Sequence, residues 1–337
     1  MSLRRNTYPL ILGTFISISG LIAQPVIAGH QCTVLEQIPT QWIDLVKADY
    51  RLWYGHTSHG SQITSGMGTI YNLYGDQYGY NSSGANGLLS YQETGGDLGH
   101  NGSLAWEVAT RAQLENPNND RNVVMWSWCG GCSDNSEAGI DIYLNALNQL
   151  ELDYPDMRFI YMTGHLDGGG EEGNLHIRNQ QIREYCLAND KILFDFADIE
   201  SYNPEGDYFL DLYANDNCDY QGGNWAQDWC AANPDADLCA PCGCAHSQAL
   251  NCNLKGRAFW WMLAEMFGRE HAPELATGDT NFDDNLDVLD IVVIVSYILG
   301  ETEYTIFEFL TADVNGDQNI DVIDIVTVVA EIIGASN

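Results

Sequence analysis

Two kinds of apolar pattern divide this chain. Between about residues 40 and 268, short runs of Val, Ile, Phe, Tyr and Trp alternate with longer stretches whose apolar positions recur every three to four residues. Near the C-terminus, two continuous apolar runs, 291–299 and 325–333, each follow a polar loop. The first pattern predicts helices over 39–47, 62–74, 104–114, 140–150, 175–187 and 255–267, and strands over 51–54, 122–128, 158–162 and 191–194. A Gly-, Asn- and Ser-rich loop is expected across 75–101. Short, wholly apolar strands separated by helices belong to a parallel sheet covered on both faces, so the fold class is α/β. In such a sheet the chemistry gathers at the carboxyl ends of the strands.

Ahead of that domain, Arg4 and Arg5 precede an apolar stretch over 8–22 and small residues at Ala23 and Ala28. This is the layout of an export signal over 1–28, too short in its apolar core to span a bilayer. No other segment is a candidate span, so no membrane span is expected once the signal is removed. The expected organisation is then an α/β domain over 29–272, a linker over 273–277 and a small domain over 278–337. Ten cysteines (32, 129, 132, 186, 218, 230, 239, 242, 244 and 252) in an oxidising destination point to disulfides, with the connectivity open. The compact Cys239, Cys242 and Cys244 could alternatively hold zinc. Forty-seven acidic residues against 13 basic ones, a formal charge of −34, exclude nucleic-acid binding, which needs clustered Lys and Arg.

The C-terminal runs belong to a duplication. Residues 278–300 and 312–334 superimpose at an offset of 34, with twelve of 23 positions identical. Each copy carries oxygen donors at loop positions 1, 3, 5, 7, 9 and 12: Asp279, Asn281, Asp283, Asn285, Asp287 and Asp290, then Asp313, Asn315, Asp317, Asn319, Asp321 and Asp324. Calcium takes six to eight oxygen ligands, and donors on alternate residues let one loop wrap one ion, in the manner of an EF-hand. Two calcium ions are therefore expected. The apolar runs that follow end at Gly300 and Gly334, as glycine-capped helices do. These residues resemble type I dockerin repeats over roughly 278–334. The resemblance implies a cohesin-like protein module as partner, selected at loop positions 10 and 11, here Val288-Leu289 and Val322-Ile323. Position 6, usually glycine in that family, is Asp284 in one loop and Gln318 in the other.

In the α/β domain the predicted strand ends supply the candidate site. His56, Thr57, Ser58 and His59 follow the first, Cys129 to Cys132 the second, Gly164 to Asp167 the third, and Asp195, Asp198 and Glu200 the fourth; His246 precedes the last helix. A hydroxyl, an imidazole and a carboxylate on one edge are the parts nucleophilic acyl transfer needs. The arrangement resembles the SGNH (GDSL-like) hydrolases, with their flavodoxin-like parallel sheet, over about residues 45–268. That resemblance implies Ser58 as nucleophile, Gly130 as an oxyanion amide, 164–167 as the third sequence block and His246 as general base. Leu166 and Gly243 stand where the family has its oxyanion asparagine and its aspartate. His165 is then the substitute oxyanion donor, and Asp167, Asp195 or Asp198 the residue that orients His246, with Ser61 the second choice of nucleophile.

Plainer roles compete at each position. Ser58 could cap the helix that follows it, and Cys129 and Cys132 could be joined in a disulfide. His56 and His59 could join His100, His165 or His246 around a metal. Three functions remain open: a secreted serine esterase or deacetylase acting on polysaccharide, a metal-dependent hydrolase, and a non-catalytic binding or assembly protein.

Overall fold

The computed structural model describes residues 25–334, which form two compact units. The larger is built on a seven-stranded sheet, every strand parallel to its neighbours, in the order β1-β7-β6-β5-β2-β4-β3. Its elements run β1 (Val26–Ala28), α1 (Thr40–Asp49), β2 (Arg51–His56), α2 (Ser61–Tyr74), β3 (Tyr80–Asn81), β4 (Leu89–Gly95), α3 (Ala105–Leu114), β5 (Val123–Trp126), α4 (Gly131–Asp134), α5 (Glu137–Asp153), β6 (Arg158–Met162), α6 (Asn174–Ala188), β7 (Ile192–Phe194), α7 (Phe196–Ser201), the hairpin β8 (Asp219–Tyr220) and β9 (Gly223–Asn224), α8 (Trp225–Ala232) and α9 (Ala249–Glu270). The α/β class expected from the sequence is the one found.

Helices cover both faces of the sheet. Successive strand residues point to opposite faces, and on β2 Tyr54 meets Tyr91, which packs on Phe259 of α9, while Trp53 meets Trp126, whose indole donates to Thr110 of α3. Hence α9 and α3 lie on opposite sides. Helix α9 is the core helix: residues 250–268 are buried without interruption. It crosses α2 at a point where both chains have glycine, because a Cβ on Gly66 would sit 1.8 Å from the Cys252 carbonyl oxygen, and one on Gly256 2.4 Å from the Gly66 carbonyl carbon. Inside this packing Lys255, fully buried, is bonded to Glu200 at 2.6 Å and to the Gln62 amide oxygen. Burial drives the Lys255 pKa down and the Glu200 carboxylate works against that fall.

Two boundaries differ from the sequence expectation. Residues 1–24 of the expected export signal lie outside the described residues, but Val26–Ala28 are the edge strand β1, paired with β7 and with Val26 and Ala28 buried. Strand β1 therefore falls within the stretch that the sequence assigns to the export signal. The expected linker over 273–277 also opens in a helical turn, α10 (Ala272–Leu275).

The smaller unit contains α10, then α11 (Val288–Ile298), α12 (Ile306–Ala312) from Glu308 onward, and α13 (Val322–Ile332). Here β-branched runs that could have formed strands are helical. Asp287 and Asp321, which close the preceding loops, each form a capping box with Asp290 or Asp324. Ile294, Ala312, Ile320 and Val328 form the unit's own small core.

Candidate functional site

The chain leaves β2 in one direction to build β4 and β3, and builds β5, β6 and β7 on the other side. The carboxyl ends of β2 and β5 are therefore the point where strand order reverses, the place a crevice opens in an open parallel sheet. Thr57, Ser58 and His59 follow β2 there, and Cys129 follows β5. Past Cys129 the chain turns sharply into α4, which Gly130 permits by adopting φ +81°.

At this point three side chains line up. His59 Nδ1 lies 3.3 Å from Cys129 Sγ, and Nε2 of the same ring lies 2.9 Å from Asp216 Oδ2. Asp216 comes from the irregular segment between α7 and β8. Its amide donates to the Leu166 carbonyl at 3.1 Å, and an Asp167–Asn215 bridge pins that segment against the loop after β6. Ser58 Oγ adds a contact to the sulfur at 3.3 Å. Burial pushes the Cys129 thiol up, but the side chains of Ser58, Thr57 and His59 and the His59 amide outweigh it and bring it to about 7. For His59, burial disfavours the charged ring, yet the bonds to Asp216 and Cys129 prevail and raise its pKa. The Asp216 carboxyl is opposed by burial but held low by its bond to His59. Both shifts favour a thiolate beside an imidazolium whose ring the carboxylate orients.

Two more imidazoles sandwich His59. The His165 ring stacks on it at 3.6 Å between centroids and 2° between planes, and the His246 ring stands 4.5 Å away at 16°. His59, His165 and Asp216 each offer a donor atom within 4.8 Å of the others. A metal must lie close to the plane of every imidazole that binds it, and two nearly parallel rings at that separation share no such point. One ring would have to turn before both could bind one ion.

The residues expected from the sequence are distributed as follows. Ser58 faces the Cys129 sulfur and no imidazole partner of it is found among the described residues; it is not the cap of α2, whose first flanking residue is Gly60. Ser61 donates to the Ser58 carbonyl at 2.6 Å. Asp167 is exposed and accepts from the Gly169 amide at 2.8 Å, Asp195 is paired with Arg183, and Asp198 is paired with His30 at 2.7 Å. None of these carboxylates is bonded to His246; the carboxylate serving an imidazole at the site is Asp216. His56 is tied to Glu93 at 2.7 Å and His100 to Asp134 at 2.7 Å. Cys129 and Cys132 are both thiols. Cys132 is buried against Asn179, and burial raises its pKa to about 12. Two disulfides are present among the described residues, Cys230–Cys239 and Cys244–Cys252. Six of the ten cysteines remain thiols, Cys242 among them.

Beside the Cys129 turn lies a cavity of about 500 Å³ lined by residues that include Asp97, His100, Ser103, Trp106 and Trp126. Asp97 accepts from the Thr57 hydroxyl at 3.0 Å, which ties the cavity rim to the residues around the sulfur.

The two polar loops of the smaller unit have the same internal geometry. Asp279 accepts from the amides of Asp283 and Asp284 at 3.2 and 3.0 Å, and Asp313 from those of Asp317 and Gln318 at 3.0 and 2.8 Å. Asp290 and Asp324 are fully buried, each accepting amides from both ends of its own loop. At position 6, Asp284 and Gln318 hold φ of +62° and +67°, the left-handed conformation that glycine would adopt more easily. The loop turn is thus kept without the glycine. Burial, followed by the neighbouring carboxylates, raises the pKa of Asp313 and of Asp324. A cluster of acidic oxygens at alternate-residue spacing, closed by the buried Asp290 or Asp324, fits a hard divalent cation.

Residues 277–333 match the family model described as dockerin type I domain. Domains of that family bind calcium, in agreement with the donor set of these loops. No curated protein and no solved structure matches the chain. No described helix is long and apolar enough to cross a membrane.

Proposed function

We propose that the α/β unit is a cysteine-dependent acyl-transfer hydrolase and that the C-terminal repeats, each loaded with one calcium ion, dock it outside the cell to a cohesin-type module. The observation that carries the catalytic half is the line from Cys129 Sγ through the two nitrogens of His59 to Asp216 Oδ2, at 3.3 and 2.9 Å. The docking half rests on the dockerin match and on apolar, exposed Val288, Leu289, Val322 and Ile323 at the loop positions that choose the partner. Asp279, Asn281, Asp283, Asn285, Asp287 and Asp290 hold the first ion, and the six residues at the same loop positions in the second repeat hold the other.

In the reaction, the Cys129 thiolate attacks an ester carbonyl and forms the C–S bond. The amide of Gly130, one residue beyond the sulfur, faces the developing oxyanion. His59 gives its proton to the departing alkoxide, and Asp216 keeps that ring in the required orientation throughout. Ser58 supports the thiolate rather than replacing it as nucleophile. Carried on a docking module, such an enzyme suits esters of polysaccharides.

Hydrolysis of p-nitrophenyl acetate by three proteins tests the assignment. Cys129→Ala should lose at least about a thousandfold in kcat/KM, while Ser58→Ala should lose about tenfold and calcium-chelated enzyme should keep its activity. The opposite ranking of the two variants would return the nucleophile to Ser58 with His246 as its base. Activity that survives Cys129→Ala and is abolished by a chelator would support a metal-dependent hydrolase.

A further inference from the structure

The nucleophile–imidazole–carboxylate line accounts for forming an acyl-enzyme but not for the two rings that sandwich His59, and His165 carries a specific second role. We propose, resting on the Cys129 reading, that His165 is the base that activates water to release the acyl group from Cys129. Its Nδ1 lies 2.9 Å from the Leu166 carbonyl oxygen, a group that can only accept, so that nitrogen carries the proton and Nε2 keeps its lone pair. The ring is held in place from beneath. Glu200, itself paired with Lys255, accepts from the Leu166 amide at 2.6 Å.

The two stacked rings are also pushed apart in acidity. Burial, and after it the neighbouring His59 charge, lower His165 against the opposing pull of Glu200, whereas His59 is raised by its own partners. Two imidazoles with opposite shifts divide acid and base work between them. His59 serves as the charged acid for the departing alkoxide, and His165 is the neutral base for the water that follows.

Water oxygen attacks the thioester carbonyl carbon while one of its protons passes to His165 Nε2. The tetrahedral intermediate collapses, the C–S bond breaks, and its electron pair returns to Cys129 as thiolate. The carboxylic acid product surrenders its proton to His59, restoring the imidazolium, and His165 releases the other proton to solvent.

Rapid mixing of the full-length, calcium-loaded protein with p-nitrophenyl acetate, followed by peptide mass spectrometry, tests this. His165→Gln and His165→Ala should release the first equivalent of nitrophenol at close to the wild-type rate and then hold the acetyl group on Cys129, its decay slowed about a hundredfold. Alkylation of Cys129 by iodoacetamide in the same variants should stay within about twofold of wild type, which a collapsed site would not allow. An acetyl group that decays at the wild-type rate in both variants overturns the assignment to His165 while leaving Cys129 as nucleophile. Absence of acetyl-Cys129 in wild type and variants alike overturns both.

Discussion

The two units build their sites from opposite kinds of contact. In the C-terminal repeats each ion loop is contiguous, and most of its hydrogen bonds join residues two to five positions apart. In the α/β unit the same chemistry of oriented polar groups is assembled from distant segments, with His59 and Cys129 70 positions apart and His59 and Asp216 157. The difference sets what each site depends on. A local loop needs its ion: residues 278–334 hold thirteen carboxylates and no Lys, Arg or His, so the charge repels itself until a cation enters. An assembled site needs a rigid core, and here α9, Lys255 and Glu200 lie directly behind the loop that carries His165.

Chelation should separate the two most sharply. With EGTA at neutral pH the smaller unit should lose the helical circular dichroism of α11 and α13, while the near-ultraviolet signal of the tryptophan-rich larger unit stays. At calcium a thousandfold above its Kd, the ion contributes about 4 kcal/mol to the smaller unit. Retention of helix in EGTA would show that the loops fold without their ion.

The converse perturbation is Lys255→Met, which leaves Glu200 buried without its partner. It should destabilise the larger unit by about 3–5 kcal/mol, read as a lower urea midpoint, and leave calcium binding by the smaller unit unchanged. A midpoint equal to wild type would mean that the buried pair contributes nothing net. A smaller effect, confined to the site, is expected of Asp216→Asn: about a hundredfold loss in kcat/KM with the urea midpoint within about 1 kcal/mol of wild type. Loss of stability on the same scale as the loss of activity would make Asp216 a packing residue.

The contrast also explains what could be read from the chain. Donor spacing, apolar runs and terminal glycines placed α11 and α13 within a few residues, because every contact that defines them is local. Helix α12 is largely apolar but only seven residues long and has no loop motif ahead of it, so it carries no comparable signal. In the α/β unit β2, β5, β6 and β7 were legible as continuous apolar runs. The missed strands of the main sheet lie toward its edges: β1 reads as part of a leader, β3 has two residues, and β4 (Leu-Ser-Tyr-Gln-Glu-Thr-Gly) is buried only over its first half within a loop-like stretch. His59, Cys129 and His165 follow strand ends and His246 precedes α9, and in the structure the three imidazoles and the sulfur lie together. Asp216 carried no such signal, since it follows no strand and sits in an Asn- and Asp-rich loop positioned only by tertiary pairing. Cys129 had a signal that pointed elsewhere: a cysteine pair flanking two glycines suggests a disulfide, whereas both are free thiols and Cys132 is buried against Asn179.

The central claim is that Cys129 is a thiolate nucleophile at neutral pH, and its alkylation rate as a function of pH tests this most directly. With the folded thiol at about 7 against an ordinary 9.0, ionisation is favoured by the fold; the associated stability is complete above about pH 9 and is lost as pH falls through about 7. Iodoacetamide on the calcium-loaded protein, with sites identified by peptide mapping, should modify Cys129 first among the six thiols. Its rate should rise with a midpoint near pH 7, and at that pH it should exceed an unperturbed thiol by about fivefold to tenfold after allowance for the lower nucleophilicity of a more acidic thiol. A midpoint near pH 9, unchanged in His59→Ala, would contradict the account.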